Sequence, residues 1–227
     1  MWDAAYYITV DRFKDRQTYV EGQFKTQGLE VEKFLGVDKN NININYLMEN
    51  GYVNNLIKLN KSRSGNAACL LSHCLLYKKI LEENKDNDKE IFLIFEDDIK
   101  LLPNLKKNIL LHTKYVPNDW DMIWLGHNKL VGTSINKWVV KPINNAGRGK
   151  NAEHHCYLIK KSSINKILNI LLPMNYINKL TKDTFIRKNF HRFNAYFIRK
   201  KLALQNKNFK SKRIYSTIKQ PIYVEFN

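Results

Sequence analysis

Five apolar residues in succession, Ile91, Phe92, Leu93, Ile94 and Phe95, run straight into Glu96, Asp97 and Asp98. A strand with water on one face alternates apolar and polar side chains. An unbroken apolar run of this length instead fits a strand buried on both faces, in a sheet covered by helices on each side. The three carboxylates then stand at the strand's carboxyl end, where open α/β sheets gather their ligands. Adjacent acids repel one another unless a cation neutralises them. Hard divalent ions with oxygen ligands, Mg²⁺ or Mn²⁺, suit them. Without a metal, the same acids would be solvated loop residues or would cap the next helix.

The chain has 227 residues, enough to bury a sizeable core, and the expectation is a single domain. With 44% hydrophobic and 26% charged residues, the composition is that of an ordinary soluble protein, and no window approaches the length of a membrane span. The first residues include Asp3 and lack the basic and then apolar order of a signal peptide. A cytoplasmic chain is therefore expected. Three cysteines, Cys69, Cys74 and Cys156, are an odd number without C-x-x-C spacing. This argues against a disulfide framework and a zinc site and leaves them as small core residues.

The net charge of +17 favours anions: nucleic acid, an anionic membrane surface, or diphosphate-bearing small molecules. The first hundred residues are nearly balanced, and the excess lies in Lys160-Lys161, Arg199-Lys200-Lys201 and residues 207–213. Residues 199–227 thus read as a basic C-terminal extension. The chain is also rich in Asn, and the bias behind that composition raises Lys as well, so part of the charge is not a functional signal.

Residues 5–10 read as a strand. A helix follows, with Asp15 as cap, Val20 and Phe24 on one face and Gly28 at its end. Residues 31–35 read as a second strand, and 39–60 as an irregular excursion holding at most one helical turn. From Asn66, apolar positions 67, 70, 71, 74, 75 and 81 recur at helical spacing, with Ser64 or Asn66 as cap. Pro103 suits the first turn of a helix reaching Tyr115. Residues 120–126 and 156–160 read as strands, and Ser162 or Ser163 as the cap of a helix carrying Ile164, Ile167, Leu168 and Leu171. The Gly- and Asn-containing segment 144–151 reads as a lid or substrate loop.

Several of these stretches carry a likeness in order: Tyr7-Ile8-Thr9-Val10-Asp11-Arg12 with Asp15-Arg16; Gly36-Val37-Asp38; Cys69-x-x-Ser72-His73; Leu93-Ile94-Phe95-Glu96-Asp97-Asp98; Trp120-Asp121 with Leu125-Gly126; and His155-Cys156-Tyr157-Leu158-Ile159. Over roughly residues 5 to 190 the chain resembles glycosyltransferase family 25, which holds lipopolysaccharide-type sugar transferases and collagen hydroxylysine galactosyltransferases. The resemblance implies a GT-A-like (Rossmann-like) mixed sheet flanked by helices, Mn²⁺ or Mg²⁺, a UDP-sugar donor and inversion at the anomeric carbon of the transferred hexose, galactose or glucose.

On that likeness, Glu96 and Asp98 form an acid-x-acid pair. Asp98 is then a direct metal ligand, and Glu96 binds the ribose or reaches the metal through water. Asp97 falls on the opposite face of an extended segment yet stays among the donor-site candidates. His155 fits a third ligand, with His154 the alternative; either could equally be a structural histidine. Thr9, Asp11, Arg12 and Arg16 stand where the likeness places donor-binding groups, and a guanidinium fork suits a diphosphate. Asp38 could accept from uracil or ribose. Ser72 and His73 would line the donor pocket unless His73 is a core histidine, and Cys69 would be packing. Asp183 matches the acid of the family's Pro-x-Asp segment, although the Pro is missing, and is the candidate catalytic base. It could equally cap a helix, and Glu153 is the fallback. Thr9 replaces the family's Asn, and Ala68 the second Gly of its Gly-x-x-Gly-Cys pattern.

The acceptor class implied is a glycan, a hydroxylysine-type protein or a lipid-linked sugar, with peripheral contact to an anionic membrane compatible with the charge. Nucleic acid is disfavoured. Two rivals are a metal-dependent nuclease or phosphotransferase, whose motifs are missing, and a non-catalytic basic protein that binds nucleic acid or membrane on a degenerate transferase scaffold.

Overall fold

A computed structural model describes residues 2–54, 64–144, 146–147, 149–174 and 182–209. In chain order the elements are β1 (Ala4–Thr9), α1 (Lys14–Thr26), β2 (Glu32–Leu35), α2 (Ile44–Glu49), α3 (Ser64–Glu83), β3 (Ile91–Glu96), β4 (Ile99–Leu101), α4 (Leu105–Thr113), β5 (Met122–Trp124), β6 (Gly132–Ser134), β7 (Val139–Pro142), β8 (Cys156–Lys160), α5 (Lys161–Leu171), α6 (Lys182–Lys188), β9 (Ala195–Ile198) and β10 (Ala203–Gln205). Single 3₁₀ turns follow at Phe190–Arg192 and Lys207–Phe209.

The main sheet runs β2-β1-β3-β8-β5-β9-β7-β6. Its first three strands are mutually parallel, β8 is antiparallel to both β3 and β5, and β5 is parallel to β9. The chain is therefore α/β, with a Rossmann-like parallel half and a mixed second half, as the GT-A likeness implied. A separate two-stranded sheet joins β10 to β4 just beyond the acids.

The apolar run behaves as its pattern dictates. Phe92 and Ile94 enter a core layer with Leu70, Leu71 and Cys74 of α3 and Ile164 and Ile167 of α5. Leu93 and Phe95 enter the opposite layer with Val20 and Phe24 of α1 and Leu105 and Ile109 of α4. All four strand residues are fully buried, and each contributes roughly 1.5–3 kcal/mol of burial free energy. Covering both faces locks the register, so the three acids can emerge only at the strand's end.

Several local expectations differ. Asp15 lies in the first turn of α1, whose N-cap is Phe13. Pro103 stands ahead of α4, because Asn104, in the left-handed region at φ 59°, is the residue that turns the chain into the helix. Ser162 and Ser163 lie inside α5, whose cap position is Lys160. Their hydroxyls are drawn off to Glu90 and Asp121 instead. Of the expected strand 120–126 only Met122–Trp124 pairs as a strand. The expected lid loop is fastened at its described residues: Arg187 donates to the Gly147 and Lys150 carbonyls, and Asn151 exchanges hydrogen bonds with Val131.

Candidate active site

The carboxyl ends of β1 and β3, the turn after β2 and the start of α3 enclose a cavity of about 720 Å³. Thr9, Arg12, Arg16, Cys69, Ser72, His73, Glu96, Asp97 and Asp98 all line it. Gln205 and Phe209 come in from the C-terminal side. Among the predicted site residues, Asp11, Asp38, Glu153, His155 and Asp183 are not part of this lining. Asp11 is turned to solvent beside Lys14. Asp38 forms an ion pair with Arg12 at 2.7 Å, so the acid expected to read uracil or ribose is holding the neighbouring guanidinium instead.

The three adjacent acids have three different environments. Asp97 is buried and accepts from Arg16 Nη1 at 2.9 Å and from Thr9 Oγ1 at 2.7 Å. It fixes Arg16, whose other nitrogen donates to the Phe209 carbonyl at 2.6 Å. Strand alternation sends Asp97 to the α1 face, which is where Arg16 stands.

Asp98 has one oxygen, Oδ2, bonded to Gln205 at 2.9 Å, whereas Oδ1 is buried without a partner among the described residues. Burial, and next the charge of Glu96, push its pKa up to about 6. A buried carboxylate oxygen without a donor is costly unless something cationic meets it.

Glu96 is 23% exposed at its side chain. Its Oε1 accepts from Lys182 Nζ and lies 3.0 Å from His73 Nε2. Burial would raise its pKa, but the Lys182 charge beside it prevails and holds it well below the usual carboxylate range.

Lys182, the neighbour of Asp183, is a buried cation beside the cavity that sequence reasoning missed. Its side chain is 3% exposed. Besides Glu96 it donates to His73 Nε2 at 2.8 Å and to the His154 carbonyl at 3.1 Å. A lysine in a chain with 38 Lys and Arg residues carries no mark of burial.

His73 is a core histidine, its Nδ1 2.8 Å from the Tyr157 hydroxyl. Burial, and then Lys182, lower its pKa to about 4, so it is neutral. Ser72 accepts from the Val37 amide at 2.9 Å and donates to the Ala68 carbonyl, tying α3 to the end of β2. Cys69 is not simple packing: it is half-buried and its Sγ lies 4.0 Å from Glu96 Oε1.

The second cluster lies beyond Lys182. Asp183 Oδ2 accepts from the Glu153 amide at 2.8 Å, and Oδ1 is 3.4 Å from His154 Nδ1. Burial opposes ionisation of Asp183, but His154 and Lys182 outweigh it and keep its pKa low. Glu153 sits at φ 67°, in the left-handed region, where a non-glycine residue is strained. Its carboxylate takes part in no hydrogen bond among the described residues. His154 packs at a tilt against Trp124 and is bonded to the Asn151 carbonyl. His155 is buried beside Gly126 and the Ala203 carbonyl, with neither ring nitrogen well hydrogen-bonded among the described residues.

Two sets of ligand atoms bear on a metal. Those of Cys69, His73 and Glu96 lie within 4.8 Å of one another, but the Lys182 ammonium already sits on Glu96 and His73. The open oxygen of Asp98 fits a hard divalent ion better, because Mg²⁺-type sites often use one or two carboxylates plus substrate phosphates.

A family model described as glycosyltransferase family 25 (LPS biosynthesis protein) matches residues 3–205. A protein of Aedes aegypti described as a glycosyltransferase 25 family member is 28% identical over 143 residues, which is 60% of this chain and 23% of that protein. The chain thus matches under a quarter of that relative's length. A crystal structure of a glycosyltransferase involved in glycosylation of the major capsid of PBCV-1 covers 74% of this chain and 63% of its own at 11% identity, with a TM-score of 0.37. The inositol-1-phosphate CTP transferase from T. maritima covers 87% and 67% at 12% identity, also with a TM-score of 0.37. Structural scores at that level carry no weight for function, whereas the family match runs unbroken from β1 through the acids to β10. The chain belongs to glycosyltransferase family 25.

Proposed function

We propose that this chain is a single catalytic domain that transfers a hexose, galactose or glucose, from a UDP-sugar to a hydroxyl of a glycan, a hydroxylysine-type protein or a lipid-linked acceptor, with inversion. The observation that carries the reading is the meeting, in one cavity at the strand ends, of Arg12, Arg16 and the Asp98 oxygen that has no partner among the described residues. Guanidinium groups hold diphosphate oxygens through paired N–H bonds. Arg16 is already oriented by Asp97 and Phe209, and Arg12 by Asp38, so little ordering remains when the donor arrives.

Asp98 is the residue that would hold Mn²⁺ or Mg²⁺. Bound there, the ion supplies positive charge against the diphosphate as the glycosidic bond breaks. Glu96, fixed by Lys182, presents its exposed edge to the same cavity as a hydrogen-bond acceptor for a donor hydroxyl.

For the base that removes the acceptor proton we favour Glu153 over Asp183, because its carboxylate is free of hydrogen bonds among the described residues. Asp183 is spent on the Glu153 amide and on His154, and its low pKa weakens it as a base. Among the described residues no helix is long and apolar enough to cross a membrane. Contact with an anionic membrane surface through the basic half would bring a lipid-linked acceptor within reach.

The test is UDP release from UDP-galactose and UDP-glucose with Mn²⁺ and a panel of glycan and hydroxylysine acceptors. Turnover that falls by about a hundredfold or more in Asp98→Asn is expected, the scale of losing a charge-stabilising group. UDP release unaffected by Asp98→Asn would refute the assigned site.

A further inference from the structure

The cluster of Cys69, His73 and Glu96 offers a sulfur, a nitrogen and an oxygen within 4.8 Å of one another. That donor set suits a borderline transition metal such as Zn²⁺ or Co²⁺. An ammonium group has three N–H donors. In Lys182 they have three acceptors: Glu96 Oε1, His73 Nε2 at 2.8 Å and the His154 carbonyl at 3.1 Å. The lysine is almost wholly enclosed, and its side chain is delivered by the first described residue of α6. Two of the three metal-type donors are thus already bonded to a cation that belongs to the protein.

We propose that Lys182 is the resident cation of this cluster: its ammonium takes the position a metal would occupy and excludes one from Cys69, His73 and Glu96. Lys182 is a positioning residue, acting on the donor cavity through Glu96. The proposal deepens the donor-site reading, because it leaves Asp98 as the carboxylate open to a divalent ion while Glu96 keeps a fixed orientation. A buried charge pair is costly to desolvate, and removing one member strands the other. Without the ammonium, Glu96 would be a largely enclosed anion beside a thiol and a neutral imidazole, a strong attractor for a divalent ion.

The experiment is a Co²⁺ titration of the full chain followed by optical absorption, with no sugar donor, so it can fail separately from the transferase reading. Wild type and Lys182→Arg are expected to give no thiolate-to-cobalt charge-transfer band. Lys182→Met should develop that band, with Co²⁺ binding tightened by about tenfold or more, and the double variant Lys182→Met/Cys69→Ala should lose it. Thermal melting establishes that each variant is folded; if Lys182→Met is not, Lys182→Gln takes its place. A band in the wild-type protein that disappears in Cys69→Ala would overturn the proposal, because a metal would then share or displace the lysine's place. A folded Lys182→Met or Lys182→Gln variant with neither the band nor tighter binding would overturn it equally.

Discussion

Asp121 shows how a motif acid can be structural. It accepts from Ser163 Oγ, from Lys166 Nζ through both oxygens and from the Asn194 amide, joining β5, α5 and the approach to β9. Burial would raise its pKa, but these bonds together overcome burial and hold it below the ordinary value. Asp121→Asn should cost about 2–4 kcal/mol in urea unfolding. Because the folded pKa is depressed, the carboxylate's contribution is present above about pH 4 and is lost as pH falls through the lower folded value. The gap between wild type and Asp121→Asn should therefore narrow in acid, and a gap constant down to pH 2 would contradict this. Beyond residue 100 the acids are Asp119, Asp121, Glu153, Asp183 and Glu225. Asp119 accepts from Tyr196, and Asp121 and Asp183 are bonded as described, which leaves Glu153 free among the four described. Glu153→Gln should lower kcat by about a hundredfold with little change in melting temperature. Asp183→Asn should chiefly destabilise, by about 1–2 kcal/mol. The reverse pattern would return the base to Asp183. Sequence showed that these acids exist; which ones are already bonded depends on contacts between distant segments.

At the scale of elements, β3, α3 and β8 were legible because each is long enough for its burial period to be distinctive. The strands β4, β6, β7, β9 and β10 were missed. They have three or four residues each, too few for a period to be read, and exist because a neighbour pairs with them. β10 forms only because β4, directly after the acids, offers it an edge. The cap at Ser162 or Ser163 failed for a related reason: serines that suit a cap by propensity were taken by tertiary partners, Glu90 and Asp121. The Gly36-Val37-Asp38 motif, read as part of the family likeness, is also a packing point. A Cβ on Gly36 would stand 2.4 Å from Ser72 Oγ and 2.7 Å from Ser72 Cβ. Gly36→Ala should therefore push β2 off α3 and widen the donor cavity. The expected outcome is a loss of about 1–3 kcal/mol in stability with weaker nucleotide binding. A variant as stable as wild type would show that this contact relaxes freely.

Over the whole molecule, charge and fold are arranged around the cavity. The basic C-terminal part, read from sequence as an extension, is in its described portion built into the fold. β10 pairs with β4, Gln205 donates to Asp98, and the Phe209 carbonyl receives Arg16. A chain ending at Phe209 should keep its affinity for UDP. One ending at Leu202 should melt earlier and bind UDP about tenfold more weakly, the equivalent of one lost contact of about 1.4 kcal/mol. Equal binding by both would remove β10 from the donor site. The central claim, that the cavity between β1 and β3 holds a nucleotide-sugar through its arginines and Asp98, is tested most directly by calorimetric titration. UDP-glucose and UDP-galactose would be titrated with and without Mn²⁺ into wild type and Asp98→Asn. Binding that requires Mn²⁺ and is lost in Asp98→Asn is the result predicted. Absence of binding by UDP and by either sugar nucleotide, in a folded protein supplied with Mn²⁺, would contradict it and favour a non-catalytic basic protein on this scaffold.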